Sequence, residues 1–214
     1  MPVLRALLLV ALLTALGGTL PAATENGRSR ILYINSYHPG YQWGDELFES
    51  FRDHFDSTGE IYVEYMDTKR FVGFDHNRQF LDYLESKYRN IPFSAVVTAD
   101  DAAYRLLLNT DSPLFDGIPA VFCGVSEYWP SQLWLRQNIT GVVQNIAIEE
   151  TMDLMLRLHA DAPAFVILTD NTLNGRSHAE RVEKYARRRG IEGRVVLPNE
   201  MNSATLSSIR RLLM

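Results

Sequence analysis

Four ring-bearing side chains fall within one short stretch, SYHPGYQW: Tyr37, His38, Tyr41 and Trp43. Flat apolar faces with polar edges line small-molecule clefts and stack on rings or cations. Further along come the polar pairs Asp100-Asp101, Ser126-Glu127 and Asp170-Asn171, with Asn174 just beyond. Carboxylates and carboxamides of this kind pair with the amines and hydroxyls of a ligand. Each also has an ordinary structural role. An aromatic ring packs under a loop, Asp or Ser caps a helix, and Asn and Asp populate turns. Nothing points as clearly to catalysis. The five histidines (His38, His54, His76, His159, His178) are scattered, with no HExxH spacing, no GxSxG elbow and no P-loop. His38 has no nucleophile beside it in sequence. Neither a metal nor a cofactor is expected.

The elements that must position these residues are read from periodicity. Ile31–Ile34 is a near-continuous apolar run, the pattern of a strand buried on both faces of a parallel sheet. Pro39-Gly40 marks a turn, and a helix follows over Asp45–Asp56 with Leu47, Phe48, Phe51 and Phe55 on one face. The alternation then repeats. Strands are predicted over Ile61–Met66, Phe93–Thr98, Ile118–Cys123, Ile139–Asn145, Ala164–Thr169 and Arg194–Leu197. Helices are predicted over His76–Tyr88, Ala102–Asn109, Ile148–His159, Arg176–Arg189 and Ser203–Leu213. Met152, Met155, Leu156 and Leu158 form an apolar stripe expected to be core. Arg187-Arg188-Arg189 before Gly190 suits a helix C-terminus. Such alternation gives a parallel sheet with right-handed crossovers, and every candidate loop leaves the carboxyl end of a strand. The loop Asp67-Thr68-Lys69-Arg70 leaves the second strand and reads as a charged loop, its Asp67, Lys69 and Arg70 expected to form a solvated ion pair or a structural contact to the first loop rather than to touch a ligand. Gln144 and Asn145 close the fifth predicted strand.

Composition and charge narrow the class. With 46% hydrophobic and 22% charged residues the chain can bury a core. A formal charge of −5 without a basic stripe argues against a nucleic-acid partner. Residues 1–23 read as a signal peptide: Arg5, then the apolar Ala6–Leu16, then small residues to Ala23. The single cysteine, Cys123, lies in an apolar run and reads as a buried small hydrophobe.

Taken in order, SYHPGYQW, DTKRF, TADDAAY, FCGVSEYW and ITGVVQNIAIEETMDLMLRLHADA leading into FVILTDNTLNGR resemble the ABC-transporter substrate-binding-like family. The resemblance spans about Ile31 to Gly190. It implies a type I periplasmic-binding-protein fold, with two α/β lobes joined by crossovers and a small ligand caught between them. The SYHPGYQW form resembles members that serve as extracytoplasmic input domains of sensor histidine kinases and diguanylate cyclases.

The fold expected is therefore α/β: a doubly wound parallel-sheet lobe over 29–145, then an incomplete second α/β lobe over 146–214 in a chain that reads as truncated. The expected function is that of an exported small-molecule-binding domain. It would act as the periplasmic or extracytoplasmic sensory input of a signalling protein, with a transmembrane signalling module downstream. The alternative is the receptor of an ABC transporter, partnered by a permease. Two further alternatives are an exported α/β hydrolase or transferase using Asp100, Asp101 and His38, and an inactive structural remnant. The expected ligand-binding residues are Tyr37, His38, Tyr41, Trp43, Asp100, Asp101, Ser126, Glu127, Asp170 and Asn171.

Overall fold

A computed structural model describes residues 28–55, 59–128, 130–160 and 164–197. The segment read as a signal peptide and the helix expected over Ser203–Leu213 lie outside the described residues.

Strands β1 (Arg30–Asn35), β2 (Glu60–Tyr65), β3 (Ala95–Ala99), β4 (Ala120–Val125) and β5 (Ile139–Val143) form one parallel sheet in the order β2-β1-β3-β4-β5. β1 lies inside it, with Ile31 registered on Ile61 to one side and Ala95 to the other. Its apolar run is explained by burial on both faces. Tyr33 and Ile31 pack with Val97 against Leu47, Phe48 and Phe51 of helix α1 (Gln42–His54). Leu32 and Ile34 face the larger cluster, which includes Leu84 of α2 (Phe74–Tyr88) and Tyr104 and Leu107 of α3 (Asp100–Leu108).

The backbone then crosses, through residues 144–147, to a second unit. Here β6 (Ala164–Leu168) and β7 (Glu192–Val196) pair in parallel. Helices α4 (Ile148–Leu158) and α5 (Leu173–Arg189) close a small core of Ile148, Met152, Phe165, Tyr185 and Ala186. The expected apolar stripe is corrected here. Met152 is buried and Leu156 packs against the core, but Met155 and Leu158 are exposed. The core beside α4 is too narrow to cover the whole stripe. Gly190 ends α5 as expected, at φ +68° with its N–H on the Ala186 and Arg187 carbonyls.

Four helices begin earlier than their periodicity predicts: α2 starts at Phe74 rather than His76, and the other three start at candidate-site loops. α1 starts at Gln42, so Trp43 is helical. α3 starts at Asp100, and neither Asp100 nor Asp101 is its N-cap residue. Instead the Ser36 hydroxyl, from the end of β1, accepts the Ala103 N–H at 2.9 Å. α5 starts at Leu173 because Thr172 caps it, accepting the Gly175 N–H at 3.2 Å. Strand ends shift similarly: β3 runs to Ala99, β5 stops at Val143 and β7 begins at Glu192.

Asp101 is fully buried, and its carboxylate accepts the N–H groups of Ser126 and Glu127 and the Ser126 hydroxyl, at 2.6–3.3 Å. Truncating it strands three donors. Asp101→Ala should therefore lower unfolding free energy by roughly 2–4 kcal/mol, measured by urea denaturation; a loss below the error of that measurement would contradict the assignment.

Candidate functional site

The site is built from the loops at the carboxyl ends of β1 to β4. The Asn35 side chain locks the first of them: Oδ1 accepts the Tyr37 N–H at 3.0 Å and Nδ2 donates to the Gly44 carbonyl at 3.2 Å. Gly44 permits this approach, since a Cβ there would sit 2.8 Å from the Asn35 amide. Ser36 ties the next two loops together. Its hydroxyl donates to the Ala99 carbonyl at 2.7 Å, and its own carbonyl accepts the Thr68 N–H and hydroxyl at 3.0 and 2.7 Å. Asp101 then holds the loop after β4. The four loops are thus pinned by polar side chains that are themselves buried.

Residues of the second unit reach into this edge. Lys69 Nζ meets Asp170 Oδ2 at 2.6 Å and lies 5.0 and 5.4 Å from the ring centroids of Tyr37 and Tyr41. Asn174, in the first turn of α5, donates to Asp100 Oδ1 at 2.9 Å and to the Tyr37 hydroxyl at 3.3 Å. Gly175 beside it leaves no room for a Cβ against the Asp170 and Thr169 side chains. Together these contacts form a polar clasp between the two units.

Cavities open around the clasp. One of about 380 Å³ is lined by Tyr37, Tyr41, Trp43, Asp100, Asp170 and His178, with Ser126 and Gln144 at its edges. A second, of about 470 Å³, shares Tyr37, Asp100 and Asn174 and adds Val72, Phe74, Asn171 and Leu173. A third, of about 760 Å³, runs along α5 past Ser126, Glu127, Arg105 and Arg176. Eight of the ten expected residues therefore line cavities between the units. Two do not. His38 lies beside Tyr41, edge-on with ring centroids 6.0 Å apart, its Nδ1 3.0 Å from the Pro39 carbonyl oxygen. Asp101 is consumed by the loop after β4. Glu127 lines the cavity of about 760 Å³ but is paired with Arg105. Asp100, Asp101 and His38 each have different partners and form no relay. Lys69 makes the structural contact to the first loop that its sequence suggests, and a cross-unit ion pair that nothing local announces. Ser36, Arg105, Arg176 and His178 also escaped the sequence reading, because their roles depend on which loops the topology brings together.

The electrostatics follow from burial. Burial pushes the Asp100 carboxyl above its usual range, against the hydrogen bonds from Tyr37, the Asp101 N–H and Asn174; its neighbour Asp101 adds to the rise. Asp100 also sits at φ +72°, a left-handed conformation costly for a residue other than Gly or Asn. The Tyr37 phenol is pushed up by burial and by Asp100. For Asp170, burial is outweighed by the hydrogen bonds from Lys69 and Thr172, and its carboxyl lies below the usual range. Burial and the nearby Arg181 hold the His178 imidazole down.

Asp100→Asn removes a buried charge and suits the left-handed backbone. It should raise Tm at neutral pH by about 2–4 °C, and the gain should shrink as the pH falls and Asp100 itself takes up a proton. The Asp170 shift has the opposite sign. The clasp contributes fully above the unfolded-state value of about 4 and is lost as pH falls through the lower folded value. Hydrogen exchange in residues 68–71 and 169–175 should accelerate below that pH and, in Lys69→Met, already at neutral pH. Unchanged protection in both cases would exclude the clasp.

No protein-family model matches the sequence, and no curated protein gives a significant match. Solved structures do. A periplasmic sugar-binding protein of an ABC sugar transporter from Legionella pneumophila is 15% identical, with TM-score 0.58 over 86% of this chain and 67% of its own. A leucine-binding protein from Thermotoga maritima is 14% identical, with TM-score 0.56 over 86% of this chain and 53% of its own. An ABC domain in complex with L-Trp from Streptococcus pneumonia is 15% identical, with TM-score 0.55 over 86% of this chain and 62% of its own. This chain thus spans between half and two thirds of their length. Among the described residues no helix is long and apolar enough to cross a membrane. The parallel five-stranded sheet, the crossover and the second α/β unit are those of the type I periplasmic-binding-protein-like fold.

Proposed function

We propose that this chain is an extracytoplasmic small-molecule-binding module whose ligand is taken between the two α/β units, and that it serves as the sensory input of a signalling protein. The observation that carries the binding reading is convergence. Tyr37, Lys69 and Asp100 from the first unit and Asp170 and Asn174 from the second meet at one edge, with cavities of small-molecule size on either side. A ligand touching both units favours the arrangement in which they are together by its differential affinity, and that shift is the output. The sensory assignment rests on the resemblance of SYHPGYQW to sensor input domains. The receptor of an ABC transporter is the second reading, favoured by the likeness of the fold to a leucine-binding protein and a periplasmic sugar-binding protein.

The binding reading is tested by thermal shift of the full chain against amino acids, sugars, nucleobases and aromatic acids. At about a hundredfold excess over Kd a true ligand adds roughly 2.7 kcal/mol, a rise in Tm of several degrees. Trp43→Ala removes a cleft wall on the exposed side of α1, so it should weaken binding about tenfold with the Tm of the free protein little changed. A screen without a stabilising compound, or a ligand indifferent to Trp43→Ala, would overturn the cleft assignment.

A further inference from the structure

The cavity of about 470 Å³ has two features that the binding reading does not use. The first is its apolar rim. Val72, Phe74 and Leu173 are 55%, 78% and 41% exposed, and they come from both units. Val72 and Phe74 flank Gly73, whose φ of +118° turns the loop after β2 so that both border the cavity. Large apolar side chains gathered at a cavity mouth mark a surface that something apolar covers. A polyhydroxylated ligand would leave these side chains facing its hydroxyls.

The second feature is the state of the carboxylate at the inner end. Asp100 is 6% exposed, and the groups hydrogen-bonded to it are neutral: Asn174 Nδ2, the Asp101 N–H and the Tyr37 hydroxyl. A charged neighbour acting on it is another carboxylate, Asp101, which disfavours its ionised form. The cations nearby are spent or peripheral. Lys69 is paired with Asp170 and Arg105 with Glu127, and Arg176, which also lines this cavity, is exposed. A buried carboxylate bonded to neutral donors gains most from a charged one. The Asn174 carboxamide already marks the direction from which a nitrogen donor approaches.

We infer that this cavity takes an amphipathic molecule whose apolar body lies among Val72, Phe74 and Leu173 and whose cationic nitrogen reaches the Asp100 carboxylate. The inference rests on the cleft reading above and narrows it to one class: compact hydrophobic amines, as against sugars and organic acids.

Calorimetry on the full chain with four probes tests it: phenethylamine, phenylacetate, ethanolamine and glucose. Phenethylamine should bind saturably, and both phenylacetate and ethanolamine roughly tenfold or more weakly by comparison. Asp100→Asn, which should fold at least as well as the parent, should weaken phenethylamine roughly tenfold. Phe74→Ser, at an exposed position, should weaken it about fivefold. Ethanolamine or glucose binding as tightly as phenethylamine would remove the apolar body from the inference. Phenylacetate binding in its place would assign the polar end to Arg176 and overturn the inference, while its sensitivity to Trp43→Ala would keep the cleft reading. With no binder among the four the inference falls, and the wider thermal-shift screen decides separately for the cleft.

Discussion

The geometry of this protein depends on one arrangement of buried polar groups at the carboxyl edge of a parallel sheet. Loops leaving parallel strands carry backbone groups that no ladder satisfies. Here two side chains satisfy them across loops. The Ser36 hydroxyl joins β1 to the start of α3, and the Asp101 carboxylate joins α3 to the loop after β4. Without these bridges the four loops would be independent, and no fixed cleft wall would exist. With them, Tyr37, Asp100 and Ser126 are held against one another by residues that do not touch the cleft. The cost is local. Asp100 is pressed into a left-handed conformation with its charge buried, which is where folds store strain at functional sites.

The second unit is simpler. Its small core is set by β6, β7 and the facing sides of α4 and α5, and cross-helix ion pairs such as Arg181–Glu149 add to it. Its polar clasp to the first unit comes from one turn, Asp170–Gly175, whose shape depends on the Thr172 cap and on Gly175 having no side chain. Both clasp residues, Asp170 and Asn174, therefore sit at a helix N-terminus, a rigid support for an interlobe contact.

Much of the fold was legible in the sequence because burial on two faces leaves a plain signal. Ile31–Ile34 read as an interior strand for the reason that it is one, and the Gly190 stop after three arginines was visible from helix-end chemistry alone. Helix starts were less legible. Periodicity marks the first residue that must be apolar, while the real start is set by a cap, and for α3 the cap is Ser36, more than sixty residues earlier in the chain. Where the loops gather was legible in outline for the same topological reason. The role of Asp101 was not, because the two adjacent acids look alike and only tertiary structure assigns one to the loop after β4 and the other to the cleft. Nor was that of His38, whose ring lies beside Tyr41 rather than in the cleft. For Lys69 the sequence leaves a solvated ion pair and a contact to the first loop both open; it makes the second, and its ionic partner Asp170 lies about a hundred residues on with no local rule connecting them.

Among the described residues the backbone passes between the two units once, through residues 144–147, and the Gln144 N–H anchors the near side of that passage on the Val125 carbonyl at 2.7 Å. Beside that passage the Lys69–Asp170 and Asn174–Asp100 bonds supply two further fixed points between the units. Three fixed points define an orientation, whereas two leave a free rotation. Exchanging either bond for a ligand contact would thus alter the twist between the units as well as their spacing.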